Sequence, residues 1–331
     1  MNQVKKKKLR LNILSFSFLL LFILLTLGAL FQAVMAYFEQ RAFPPPGNLF
    51  NMGGYQLYMN CTGTGDVTIL LESDLQFPSS VWDSVQNQLQ PHTQVCSYDR
   101  AGLGWSEDSP LPRKGQEIVE ELFRLLRKAY IENPILAVGN GNGSLITRLF
   151  ANRYPENVIG MILVSPDLGV NHDSPKLNST KVFDYLYLQY QIARIATWFG
   201  VVRLNGYTGI LPDHIKPYTK LPRNIQRKIF ALTIYKPNYW IAAYEDSSSL
   251  SDLQNEVQIN NDLNNIPLVI LINSNSSELT DPETNPELLK LTKLSSRSDL
   301  EFCSDCGNIL PLSNPEKVTS TILNLYDQVH P

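Results

Sequence analysis

The chain has 331 residues, 44% of them apolar and 18% charged, with a formal net charge of −3. That balance excludes a disordered chain and leaves room for one large domain with appendages. Setting aside five basic residues near the N-terminus leaves 23 Lys and Arg against 31 Asp and Glu, a balance of −8 for the rest, which excludes general affinity for nucleic acid or anionic lipid.

Those five residues, Lys5 to Lys8 and Arg10, precede 28 residues, Leu11 to Phe38, without a charge. As a helix at ~1.5 Å per residue the run reaches about 42 Å, more than the ~30 Å hydrocarbon core of a bilayer. The length predicts an uncleaved membrane anchor rather than a buried core helix. A cleaved signal peptide is the rival, with Val34-Met35-Ala36 offering a small residue at the right place, although secretory apolar regions run only ~7–15 residues. Basic residues stay on the cytoplasmic side. The expectation is a single-pass membrane protein with a cytoplasmic tail at residues 1–10, an anchor at 11–38, a linker at 39–54 and an extracytoplasmic domain at 55–331.

Pro44-Pro45-Pro46-Gly47 reads as a stiff spacer lifting that domain off the bilayer. Strand patterns follow at Tyr55–Asn60, Val67–Leu71 and Gln94–Tyr98, the second continuously apolar, as a strand buried on both faces requires. Gln116–Tyr130 has apolar residues at helical spacing. The strand Ile135–Val138 runs through a glycine cluster into a helix, Ser144–Tyr154, and Val158–Val164 is the next strand. This alternation predicts an α/β fold with a mainly parallel sheet covered by helices on both faces. From about residue 168 to 262 strand signal fades and helical segments take over, a helical lid inserted before the strand Ile266–Ile272. Ser313-Asn314-Pro315-Glu316 caps the last helix.

Four cysteines fit an oxidising compartment, with Cys61–Cys96 and Cys303–Cys306 as candidate disulfides. Cys303 and Cys306 form a lone CxxC with no second pair or histidine cluster, so no metal or other cofactor is expected. Asn60, Asn178 and Asn275 match the glycosylation acceptor pattern, meaningful only in a eukaryotic secretory setting.

Tyr98-Asp-Arg-Ala-Gly-Leu-Gly-Trp-Ser106 resembles the strand-to-loop segment of α/β-hydrolases of the esterase and lipase type. Four more segments fit the same order: Val67–Glu72 with Trp82, Ala137–Gly143, Gly160–Pro166, and Gly307–Leu312 with Asn314–Val318. The resemblance covers residues from about 55 to 328. It implies that Ala137–Gly143 holds the nucleophile elbow, where a G-x-S-x-G turn exposes a serine. Here the five residues are Gly139, Asn140, Gly141, Asn142 and Gly143, so the nucleophile position carries no side chain. The position implied for the base histidine is Asn308, whose amide cannot exchange a proton near neutral pH. Asp167 is the vestigial position for the triad acid, with Asn273–Ser276 the alternative strand end. The implied oxyanion positions are Asp74 and Asn142, and an ionised Asp74 would oppose the charge that such a hole stabilises.

His92, His172, His214 and His330 read as surface or lid residues, and Ser144 and Cys306 as poor substitutes for the nucleophile. Lid residues from Phe183 to Phe199, including Tyr185, Leu186, Tyr187, Tyr190, Ile192, Ile195 and Trp198, either pack the lid on the sheet or face a membrane or an apolar ligand. The expectation is a degenerate family member that binds an apolar ligand under the lid or a membrane-protein partner. An active hydrolase of small esters or lipids with an unconventional site, and a purely structural membrane subunit, are the alternatives.

Overall fold

The computed structural model describes residues 2–167, 180–208, 221–259, 262–273, 285–304, 306–307 and 309–330, without the side chains of 2–11 and 180–186. The chain divides into two compact units, one of Met1–Pro44 with Gln189–Trp240 and the other of Pro45–Leu188 with Ile241–Pro331.

Helix α1 runs unbroken from Asn2 to Ala42. The second unit is built on an eight-stranded sheet in the order β1-β2-β4-β3-β5-β6-β7-β8. Its strands are β1 (Asn48–Asn51), β2 (Gln56–Thr62), β3 (Thr68–Glu72), β4 (Gln94–Tyr98), β5 (Ile135–Asn140), β6 (Val158–Val164), β7 (Leu268–Asn273) and β8 (Ser298–Cys303). β1 and β4 each pair with β2 antiparallel, and from β4 to β8 all neighbours are parallel. Helices alternate with them: α2 (Asp83–Leu89), α3 (Gly115–Lys128) and α4 (Gly143–Arg153) among the first strands, α9 (Pro286–Thr292) before β8, then α10 (Leu310–Ser313) and α11 (Pro315–Val329). Between β6 and β7 come α5 (Thr180–Trp198), α6 (Val201–Thr208), α7 (Arg223–Leu232) and α8 (Tyr239–Ile259).

The apolar runs explain the layering. Ile69, Leu70 and Leu71 of β3 are fully enclosed, and burying each such side chain contributes about 1.5–3 kcal/mol. Helix α3 presents Ile118, Val119, Leu122, Leu125 and Leu126 to the core, all buried. Asn314 caps α11 by accepting from the Lys317 N–H at 3.1 Å. Cys61 and Cys96 face each other across the β2–β4 ladder and are bonded, as are Cys303 and Cys306.

The structure redraws two sequence expectations. Residues 39–42 prolong α1 and Asn48–Asn51 pair with β2, so the linker expected at 39–54 shrinks to Phe43–Gly47 and the turn before β2. The expected lid is divided as well, since Gln189–Trp240 clusters with α1 whereas α8 from Ile241 onward clusters with the sheet.

In the first unit α1 packs against the segment from Gln189 to Trp240. Gln32 and Glu39 are buried, 6% and 8% exposed, towards the C-terminal end of the helix. Gln32 Nε2 donates to the Tyr235 carbonyl at 2.8 Å. Arg203 of α6, 1% exposed, donates from Nε to Gln32 Oε1 at 3.1 Å and from Nη2 to Glu39 Oε2 at 2.9 Å, and lies 4.1 Å over the Tyr235 ring. A buried guanidinium needs such pairing, because an uncompensated charge there costs several kcal/mol. Backbone closeness adds to this: a Cβ on Gly28 would strike the Phe199 carbonyl.

Candidate functional site

The C-terminal ends of parallel strands form the crevice where open α/β sheets hold ligands, and the family-like segments lie at those ends. β5 ends at Asn140, and Gly141 turns the chain into α4 at φ +55°. That left-handed conformation costs a non-glycine residue about 1–3 kcal/mol, and glycine adopts it freely. The flanking glycines are sterically required: a Cβ on Gly139 would come within 2.7 Å of the Ser144 Cα, and one on Gly143 within 2.9 Å of the Ser73 carbonyl carbon. The elbow geometry is therefore present without the side chain it ordinarily displays.

Asp74 fills the vacated space. Its Oδ1 accepts from the Asn142 N–H at 2.8 Å, from the Leu75 N–H at 2.7 Å, and weakly from Asn142 Nδ2 at 3.3 Å. In α/β-hydrolases generally the oxyanion donors are the amide after the nucleophile and one from the loop after an earlier strand of the sheet. A Cβ on Gly141 would lie 2.8 Å from Asp74 Oδ1 and closer still to Cγ and Oδ2. The carboxylate thus takes both amides and fills the space beside Gly141. Burial raises the Asp74 carboxyl above its ordinary range, opposed by the hydrogen bonds from Asn142 and Leu75.

A buried ion network holds this loop. Arg100 donates from Nη1 to the Ser73 carbonyl at 2.8 Å and from Nη2 to the Asp74 carbonyl at 2.7 Å, and it is ion-paired with Glu72, which also accepts from the Tyr98 hydroxyl. Burial disfavours the Arg100 charge, but Glu72 and Asp246 outweigh it and raise its pKa. Asp246 of α8 accepts from Arg113 Nε at 2.8 Å and from the Gln76 N–H at 3.1 Å. Glu72 and Arg100 fall within the family-like segments of the sequence, where no local pattern marks their role. Asp246, 133 residues from Arg113, leaves no local signal at all.

The other expected positions are not assembled into a triad among the described residues. Asp167 is exposed just beyond β6. Asn308, His172 and His214 lie outside the described residues, as do the acceptor sequons at Asn178 and Asn275. Asn273, at the end of β7, donates from Nδ2 to the Gly307 carbonyl, tying the final loop to the sheet by an amide. Ser144 Oγ is buried and donates to the Gly139 carbonyl at 3.0 Å, a helix-start bond rather than a nucleophile's posture. Cys306 is engaged in its disulfide. His92 is exposed after α2, and His330 stacks on Tyr326. No cluster of three metal-ligating side chains occurs among the described residues.

A parallel sheet with a glycine-framed elbow and an amide-lined loop beside it defines an α/β-hydrolase. The chain belongs to the alpha/beta hydrolase fold family, whose family model matches residues 72–315. The protein YqjL of Bacillus subtilis is 36% identical over 107 residues, 32% of this chain and 42% of that protein. A vacuolar membrane protein of Saccharomyces cerevisiae is 28% identical over 180 residues, 46% of this chain and 28% of its own length. The chain thus spans less than half the length of these curated relatives. Among solved structures, the Cif epoxide hydrolase from Acinetobacter nosocomialis superposes with a TM-score of 0.67 at 14% identity, over 88% of this chain and 96% of that one, a likeness of fold.

Proposed function

We propose that the protein is a membrane-anchored member of its family that works by binding an apolar ligand or a membrane-protein partner and does not catalyse hydrolysis. The observation that carries this reading is the Asp74 carboxylate on the Asn142 and Leu75 amides, over an elbow whose central residue is glycine. Acyl transfer needs a nucleophile, a base and donors aimed at a developing oxyanion. Residue 141 offers no attacking atom, Asn308 no base, and the donors already serve an anion. The anchor is α1, whose segment Asn12–Ala42 has a mean hydropathy of 2.6 at its most apolar, with the basic residues before it cytoplasmic and the sheet on the far side. The yeast vacuolar membrane relative supports a membrane setting.

The test is fluorophosphonate labelling of the full-length protein in detergent, beside turnover of a panel of short-chain esters. Neither labelling nor turnover above background is expected. Stoichiometric labelling at one residue, or ester turnover abolished by one point substitution, would restore the active-hydrolase reading.

A further inference from the structure

Helices α5 and α6 carry an apolar stripe that nothing among the described residues of their own unit covers. Ile192, Ile195 and Trp198 recur at every third residue of α5, and Val201, Leu204 and Tyr207 continue the rhythm along α6. Each is between 43% and 65% exposed. At 100° per residue every such trio spans a 120° arc, one face of its helix. The opposite faces make the unit's interior: Tyr190, Thr197, Val202 and Arg203 are buried, and Trp240 Nε1 donates to Thr197 Oγ1 at 2.9 Å. The division between inside and outside is therefore settled, and the outside is apolar and aromatic.

The anchor helix fixes the level of this stripe. The turn joining α5 to α6 lies against α1, where a Cβ on Gly200 would sit 3.0 Å from the Phe31 ring and 3.2 Å from the Gly28 carbonyl. Counting ~20 residues for the hydrocarbon core from Leu11 places its outer edge near Leu30. The turn therefore meets α1 at that edge. Around it α1 also exposes Leu27, Leu30, Val34, Tyr37 and Phe38, so α1 is apolar on its outside at the level where it meets the turn. The 28-residue uncharged run, too long for the core alone, is accounted for by its last turns belonging to the docked part of α1.

We infer that α5 and α6 are seated in the boundary layer between headgroups and acyl chains of the outer leaflet, with Ile195, Trp198 and Leu204 in contact with lipid. Interfacial helices bury one apolar face to a depth of about 5–10 Å, and tryptophan and tyrosine favour that depth. The occupant of the stripe is thus lipid, not a soluble partner. The inference rests on α1 being a membrane anchor, as proposed above, and is independent of whether the elbow is active.

The test uses the full-length protein in nanodiscs of phosphatidylcholine. All four cysteines are disulfide-bonded, so one introduced thiol takes an environment-sensitive fluorophore. Ile195→Cys, Trp198→Cys and Leu204→Cys probe the stripe, Leu20→Cys the span, and Tyr130→Cys, 89% exposed on the sheet unit, the aqueous phase. Labels at 195, 198 and 204 are expected to be quenched by doxyl lipids and to be about five-fold less accessible to iodide than the label at 130. Iodide access equal to that at 130, with the label at 20 still quenched by lipid, overturns the seating and leaves the anchor standing. Iodide access at 20 itself overturns both. Protection from both quenchers at the stripe overturns the lipid assignment in favour of a second copy or another protein.

Discussion

Placing a serine at the elbow should be far more costly with Asp74 present than without it. In Gly141→Ser the new Cβ would lie within 2.8 Å of Asp74 Oδ1 and nearer to its Cγ, so the carboxylate must leave the Asn142 and Leu75 amides. Bonds from amides to an ionised acceptor contribute about 1.5–3 kcal/mol each. Asp74 is half-buried, so water recovers part of that, and about 2 kcal/mol is a fair net loss for the pair. Holding serine at φ +55° adds about 1–3 kcal/mol. The single substitution should therefore cost about 3–5 kcal/mol. In an Asp74→Gly background only the strain remains, which sets the coupling between the two positions near 2 kcal/mol. Urea unfolding of the full-length protein in detergent, followed by tryptophan fluorescence, measures all four corners of the cycle. If the cost of Gly141→Ser agrees in both backgrounds within about 0.5 kcal/mol, the carboxylate does not occupy the elbow and the reasoning fails.

Protonation of Asp74 gives an independent check. Its folded-state pKa is raised by burial, and a carboxyl raised above its unfolded value stabilises most below that unfolded value and loses the contribution as pH rises through the folded one. Asp74→Asn should therefore flatten the fall in stability as pH rises above about 4 relative to the parent, and an unchanged or steeper fall would refute the assignment. Arg100→Met strands Glu72 as a buried charge and should cost about 3–5 kcal/mol in the same unfolding assay, whereas a loss under about 1 kcal/mol would show that the ion network does not hold the loop. Removing the Cys61–Cys96 link with paired alanines opens a loop of 35 residues. Chain entropy then predicts a loss of about 4 kcal/mol, read as a lower melting temperature.

The parts of this fold that announce themselves in sequence are those buried on both faces. β4 and β6 fall on their expected limits, because Val158–Val164 is apolar throughout and Gln94–Tyr98 is a short run centred on Val95 and Cys96. β8 escapes notice since Ser-Asp-Leu-Glu-Phe-Cys alternates at a half-exposed sheet edge, and β1 because Asn-Leu-Phe-Asn has too few apolar residues to register. At the site, the glycine at 141 and the carboxylate at 74 are legible as departures from the family pattern. That the second fills the space left by the first is not, because the fit depends on how the loop after β3 folds back on α4. The same holds for Gln32, an unremarkable polar residue in an uncharged run until Arg203, 171 positions away, binds it.

That last contact bears on how the molecule can be prepared. Cutting the chain at Pro44 would remove Gln32 and Glu39 while leaving Arg203 in its pocket. Losing the partners of a buried charge costs about 3–5 kcal/mol, a large share of what holds a domain folded. The severed surface would also uncover Phe199 and Gly200, which now lie against α1. Such a fragment is expected to lose the packing of α6 around Arg203. A faithful preparation keeps the first forty-four residues and supplies detergent or lipid to cover them.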